Sequence, residues 1–301
     1  MNRRKTYRLA LRRGELVLGP KTLVMGVLNV TPDSFSDGGK FLSVKLAVEH
    51  ALKMQREGAD IIDIGAESTR PGSNEISAAE ELARLLPVLE ALRGKLKIPI
   101  SVDTQKSAVA EIAIGAGAAM INDVSGLRHD PRIADVAVKH GVAVILMHMR
   151  GTPRTMQTLP FARDVIKDVL GGLRKSVARA VKVGVARSKI VVDPGIGFGK
   201  SFEQNYELLA NLHEIAKLGY PLLVGTSRKG FLGKALARNG KPAPAEERIW
   251  GTAATVAASI LGGAHIVRVH DVAEMTQVAR VADCVLNQSL EGPTFLKRGI
   301  R

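Results

Sequence analysis

The 301-residue sequence predicts an α/β fold: a (β/α)8 TIM barrel with an N-terminal β-hairpin, read as one domain over residues 1–301 with the hairpin within residues 1–20. Eight short apolar runs recur along the chain, and each is followed by a segment with helical spacing. Most of these runs end on a polar or charged residue, at the strand edge where parallel α/β proteins gather their chemistry. An open doubly wound sheet would show a dinucleotide-type glycine fingerprint near the first turn, and none is present there.

Tyr7, Leu9 and Leu11 alternate, Arg12-Arg13-Gly14 supplies a turn, and Leu16 and Leu18 alternate again, which is a hairpin pattern. The first barrel strand, with Met25, Val27 and Leu28, runs directly into polar residues Asn29, Thr31, Asp33, Ser34, Ser36 and Asp37. Val44, Ala47, Val48, Ala51, Leu52 and Met54 then recur at helical spacing up to Gly58. The strand over residues 60–64 opens into GAESTRPGSNEIS, residues 65–77, which contains Glu67, Thr69 and Arg70. Ser77 with Glu80 forms a capping-box pattern ahead of a stripe of Leu82, Leu85, Leu86, Leu89 and Leu92.

The same unit repeats six more times. Strands over residues 98–102, 118–121, 142–147, 190–192, 222–224 and 266–269 lead into Asp103, Asn122-Asp123, His148, Asp193, Gly225-Thr226-Ser227 and His270. Asp103, Asn122 and Asp193 are distant in sequence, and a barrel would bring them to one mouth. In the last strand, period two puts Arg268 and His270 on one face and Val267 and Val269 on the other, so the polar pair is expected to enter the mouth. Asp271 with Glu274 reads as a helix-capping pair.

The charge of +14 raises the question of a nucleic-acid partner. Six cations lie in residues 1–13 and three in residues 297–301, with no acid in either segment, so the rest of the chain carries only +5. The basic ends read as solvated tails, and 4% aromatic content offers few stacking platforms for bases. No run of about eighteen apolar residues suggests a membrane span. The single cysteine, Cys284, reads as a small buried residue of the last helix and fits a reducing cytoplasm.

Four stretches, GVLNVTPDSFSDGG (26–39), MHMRGTPRTMQ (147–157), DPGIGFGK (193–200) and GTSRKGFLG (225–233), together resemble the signatures of the dihydropteroate synthases. The third is not a phosphate loop, because its spacing departs from G-x-x-x-x-G-K-[ST]. The resemblance spans residues 23–284 and implies a transferase of folate biosynthesis, a sulfonamide target, which joins 6-hydroxymethyl-7,8-dihydropterin diphosphate to p-aminobenzoate. It implies that Asp103, Asn122, Asp193 and Lys229 hold the pterin, and that Thr69, Arg70, Arg268 and His270 complete the pterin diphosphate site. Phe35, Thr69, Pro71, Phe198 and Ser227 would shape the aminobenzoate site, and Asn29 would bind Mg2+. Asn29, Lys229, Arg268 and His270 are the expected catalytic set, and a homodimer is expected.

His148 is expected to be structural or a pterin neighbour, since no His-x-x-x-His or cysteine pattern supports a metal site. One departure is Ala66, where many relatives have glycine. If that position requires positive φ, alanine would be strained. The alternatives are a methyltetrahydrofolate methyltransferase module, which needs no diphosphate clamp, a basic nucleic-acid-binding protein, and a non-catalytic paralogue.

Overall fold

The computed structural model describes residues 4–12, 14–31 and 40–288. Phe35 and the remainder of the first long loop, like the basic residues after 288, lie outside them. Strands β1 (Tyr7–Ala10) and β2 (Glu15–Leu18) form the expected antiparallel hairpin, with Tyr7 opposite Leu18 and Leu9 opposite Leu16.

The eight parallel strands are β3 (Leu23–Asn29), β4 (Ile61–Gly65), β5 (Ile100–Asp103), β6 (Met120–Asp123), β7 (Ala143–Met147), β8 (Ile190–Asp193), β9 (Leu223–Val224) and β10 (Ile266–Val269). Their order is β8-β7-β6-β5-β4-β3-β10-β9, and a parallel bridge between Val192 and Leu222 joins the two ends into a barrel. Around it run α1 (Lys40–Arg56), α2 (Ala78–Leu92), α3 (Ser107–Ala116), α4 (Ile133–His140), α5 (Val165–Val183), α6 (Phe202–Ala210), α7 (Leu212–Ala216), α8 (Gly230–Ala235), α9 (Ile249–Leu261) and α10 (Val272–Gln288).

Strand alternation divides the buried residues into two sets. Leu23, Met25, Ile61, Met120, Ile145, Val191, Leu223 and Ile266 pack together inside the barrel with Leu9 and Leu18 of the hairpin, which therefore plugs one end. Val24, Ile62, Ile64, Val102, Ile121, Val144, Val192, Val267 and Val269 pack outward against the helices. Two residues beyond the inward set, at the open end, come Asp63, Asn122, Met147, Asp193 and Arg268. The hydrophobic pattern that fixes the barrel thus also aims the polar residues.

Three local expectations need correction. The amino terminus is not simply a solvated tail: the Arg4 guanidinium is buried and donates to Thr22 Oγ1 (2.7 Å), Ala264 O (2.6 Å) and Asp283 Oδ1 (2.5 Å). Cys284 is exposed, because the buried stripe of α10 runs through Met275, Ala279, Ala282 and Leu286 and leaves position 284 on the outer side. Asp271 does not serve mainly as a cap: its carboxylate takes Nε (3.1 Å) and Nη2 (2.5 Å) of Arg228. That fork opposes the strain of Arg228, whose φ is 58°. Ala66 is absent from the residues with positive φ, so the strain considered for it does not arise.

Candidate active site

The inward residues of β4, β5, β6 and β10 form one hydrogen-bonded group at the mouth. Arg268 Nε donates to Asp63 Oδ2 (2.6 Å), Arg268 Nη2 donates to Asp103 Oδ2 (2.8 Å), and Asn122 Nδ2 donates to the same Asp63 oxygen (2.9 Å). Arg268 thus does face the mouth, and the anions it finds there include Asp63 and Asp103. Burial opposes its charge, yet these two carboxylates hold its pKa above the usual arginine value. Two of its five N–H donors are engaged in these bonds.

Asp63 belongs to this hydrogen-bonded group, and the sequence reading missed it. It is fully buried in the strand IIDIG, and one of its carboxylate oxygens, Oδ1, has no hydrogen-bond partner. The signal was available: a lone charge two residues after inward Ile61 must also face inward. Its effect on Asn122 is chemical. One of the two Asn122 amide N–H donors is taken by Asp63, which orients the amide and leaves its oxygen as an acceptor and its second N–H as a donor for a ligand.

Asp193 ends β8, and its Oδ1 accepts the Gly195 amide (2.6 Å). Burial raises its pKa to about 6, against the pull of the Gly195 N–H and then Lys229. Asp103 is pushed up by burial to about 7, with Arg268 pulling the other way. Lys229 is lowered by burial, then by Arg268, to about 8, and its Nζ lies 4.1 Å from the centre of the Phe198 ring. Phe198 in turn packs against Val124, Met147, Met149 and Met156, an apolar wall beside the polar group.

The loop after β8 is held by Lys200, which sequence reading treated only as part of a motif. Its buried ammonium donates to Gly195 O (2.8 Å), Phe198 O (2.9 Å) and His148 O (3.1 Å), and it lies 3.1 Å from His148 Nδ1. Burial, followed by Lys200, lowers the His148 pKa to about 2, so the imidazole is a neutral neighbour of the ammonium. The backbone is so close here that a Cβ at Gly195, where φ is 66°, would lie 2.0 Å from His148 O. Only glycine fits.

Ser227 is buried, and its Oγ accepts the His270 amide (3.2 Å) and lies 3.0 Å from His270 Nδ1. Burial, then Arg268, lowers the His270 pKa to about 3. Asn29 is half-buried at the end of β3. Thr69 is half-buried, and Arg70 and Pro71 are exposed, on the loop after β4. That loop borders a cavity of about 810 Å³ that also reaches Gln105, Ser125, Arg128 and Met149.

The mouth of this closed parallel barrel gathers the Asp103 and Asp193 carboxylates, the Asn122 amide and Lys229, a set with the chemistry to meet the N–H donors of a flat heterocycle, as a pterin-binding enzyme requires. The model of the pterin-binding enzyme family matches residues 25–270. A dihydropteroate synthase of Synechocystis sp. is 51% identical, covering 89% of this chain and 91% of that protein. The dihydropteroate synthase of Xanthomonas albilineans solved with 4-aminobenzoic acid superposes with a TM-score of 0.87 at 40% identity, covering 95% of this chain and 100% of that one. The Yersinia pestis dihydropteroate synthase solved with a sulfonamide drug gives a TM-score of 0.83 at 42% identity, covering 94% and 98%. The chain belongs to the dihydropteroate synthase family.

Proposed function

We propose that the chain condenses 6-hydroxymethyl-7,8-dihydropterin diphosphate with p-aminobenzoate, releasing diphosphate and forming 7,8-dihydropteroate. The observation that carries this reading is the convergence of the Asp103 and Asp193 carboxylates with the Asn122 amide, whose orientation is held by its N–H bond to Asp63. A 2-amino-4-oxopyrimidine edge supplies the matching N–H donors. In the reaction the C–O bond to diphosphate breaks, the aryl amine nitrogen forms a bond to the same carbon, and the amine loses a proton. The carboxylates stabilise positive charge developing on the pterin, and Lys229 stacks beside Phe198 at the reacting side.

Arg268, Arg70 and His270 meet the departing diphosphate. Ser227 Oγ, which already accepts the His270 amide, donates to Nδ1 and leaves Nε2–H as a donor. Asn29 offers one hard amide oxygen at the same mouth. That fits a Mg2+ ion held largely by diphosphate and water, and among the described residues no cluster of three or more His, Cys, Asp or Glu suits a metal. Bound there, Mg2+ would neutralise leaving-group charge.

Thr69, Pro71, Phe198 and Ser227 border the aminobenzoate and sulfonamide position. The exposed aromatics Phe202, Tyr206 and Trp250 on neighbouring α6 and α9 favour a homodimer through this outer face. The lone cysteine suits a cytoplasmic setting.

The test is an assay of diphosphate release with and without p-aminobenzoate and Mg2+, with pteroate measured alongside. Stoichiometric pteroate and diphosphate are expected only with both present. No pteroate from folded protein would overturn the reading. Sedimentation of the wild type and of Trp250→Glu tests the dimer, and a monomeric wild type at micromolar concentration would sink it.

A further inference from the structure

The loop after β4 is anchored at its root by a buried ion cluster. Glu67 Oε1 accepts the Ile76 amide (2.9 Å), so one carboxylate joins both ends of the loop that carries Thr69, Arg70 and Pro71. Its other oxygen accepts from Lys106 Nζ (2.9 Å), and the same ammonium donates to Glu81 Oε2 in the first turn of α2 (2.8 Å). Side-chain exposure is 10% at Lys106, 5% at Glu67 and 0% at Glu81, so these are dry ion pairs rather than surface ones.

The position of Lys106 gives the cluster its meaning. It stands three residues after Asp103, and its amide donates to Thr104 Oγ1 (3.2 Å) as the chain turns into α3. It therefore connects the β5 segment that presents Asp103 with the root of the β4 loop. Other tethers of that loop lead elsewhere: Arg84 Nη1 donates to Ala66 O (3.1 Å) from α2, the Gly72 amide donates to Pro153 O (3.0 Å) in the loop after β7, and Glu75 lies 3.2 Å from His129 Nε2 in the loop after β6. Burial would remove charge from Lys106, but its two carboxylate partners hold its pKa above the ordinary lysine value, so the ammonium stays charged at neutral pH.

We propose that Lys106 is a positioning residue for the second substrate: through Glu67 it holds the β4 loop against the pterin floor and so sets affinity for p-aminobenzoate while touching neither substrate. The proposal rests on the assignment of the β4 loop to p-aminobenzoate.

Lys106→Met alone would leave two buried carboxylates uncompensated and threaten the fold, so the decisive variant is Lys106→Met with Glu67→Gln and Glu81→Gln, which is neutral and similar in shape. Its KM for p-aminobenzoate should rise about tenfold, while affinity for a diphosphate-free pterin, which meets the floor and not Arg70, changes less than about twofold. Lys106→Arg, which keeps the charge, should recover most of the loss. An equal loss of affinity for the diphosphate-free pterin, or a p-aminobenzoate KM unchanged in the triple variant, would overturn the proposal. Thr69→Ala is measured in parallel: if it leaves the p-aminobenzoate KM unchanged, the assignment of the loop is at fault, and if it raises that KM while the triple variant does not, the clamp is.

Discussion

The floor of the mouth and its rim are built in different ways. Floor residues Asp63, Asp103, Asn122, Asp193 and Arg268 lie on or at the ends of parallel strands, and four of them are tied to one another by hydrogen bonds. Rim residues Thr69, Arg70 and Pro71 ride on a loop whose order depends on a few tethers at its root and tip. The floor is thus fixed before any ligand arrives, which suits recognition of one rigid heterocycle. A loop is better suited to admitting a second substrate and letting product leave.

That contrast is tested most severely at Arg268. Arg268→Ala leaves Asp63 and Asp103 without their counter-charge, which should cost about 3–5 kcal/mol of stability and lower kcat/KM by about a hundredfold or more. Adding Asp63→Asn removes one stranded charge and should restore much of the melting temperature without restoring affinity for diphosphate. Recovery of diphosphate affinity in that double variant, read by calorimetry, would reduce Arg268 to a counter-ion of the floor.

Asp193 gives a smaller effect with opposite signs in stability and binding. Its folded pKa of about 6 exceeds the ordinary aspartate value of 3.8, so its ionised form opposes folding. The penalty is absent well below pH 4, grows as the pH rises, and is complete above about pH 6. Asp193→Asn should therefore melt higher than the wild type at pH 7.5, by about 1–3 kcal/mol in stability, with little difference near pH 4. The same change should weaken a pterin ligand about ten- to a hundredfold. Wild-type pterin affinity should itself fall as pH drops through the range from about 7 to about 6, where Asp103 and Asp193 take up protons. Flat affinity from pH 5.5 to 7.5 would show that these carboxylates do not meet the pterin as anions.

The two regions also differ in how far the sequence revealed them. Strand alternation is strictly local, so the inward placement of Arg268 could be read directly from IVRVH, and the same rule applied to IIDIG would have found Asp63. The partners of those side chains were not legible: Arg268 and Asp63 are 205 residues apart, and only the pairing of β10 and β4 on either side of β3 brings them together. Arg4 was misread for the same reason, since its carboxylate partner lies 279 residues away. Cys284 failed differently. Val281 and Val285 look like a core stripe, but they are 66% and 52% exposed, so an apolar pattern on an outer helix did not identify the inward face. On the rim, the resemblance supplied the roles of Thr69 and Pro71, and no periodicity pointed to the Lys106 cluster beneath them.

The mildest test lies on the rim itself. Pro71 is exposed, and replacing it with alanine removes no buried contact, so stability should stay within about 0.5 kcal/mol of the wild type. What changes is the freedom of the loop, because proline restricts its own φ and the conformation of Arg70 before it. A looser loop spends more conformational entropy when it closes on p-aminobenzoate. The KM for p-aminobenzoate should therefore rise about two- to fivefold, with pterin affinity unchanged, because the floor is held by strands and by Arg268 rather than by this loop. Paired titrations with a pterin ligand and steady-state kinetics in p-aminobenzoate separate the two effects. Weakened pterin binding in Pro71→Ala would mean that floor and rim act as one unit, and the division drawn between them would fail.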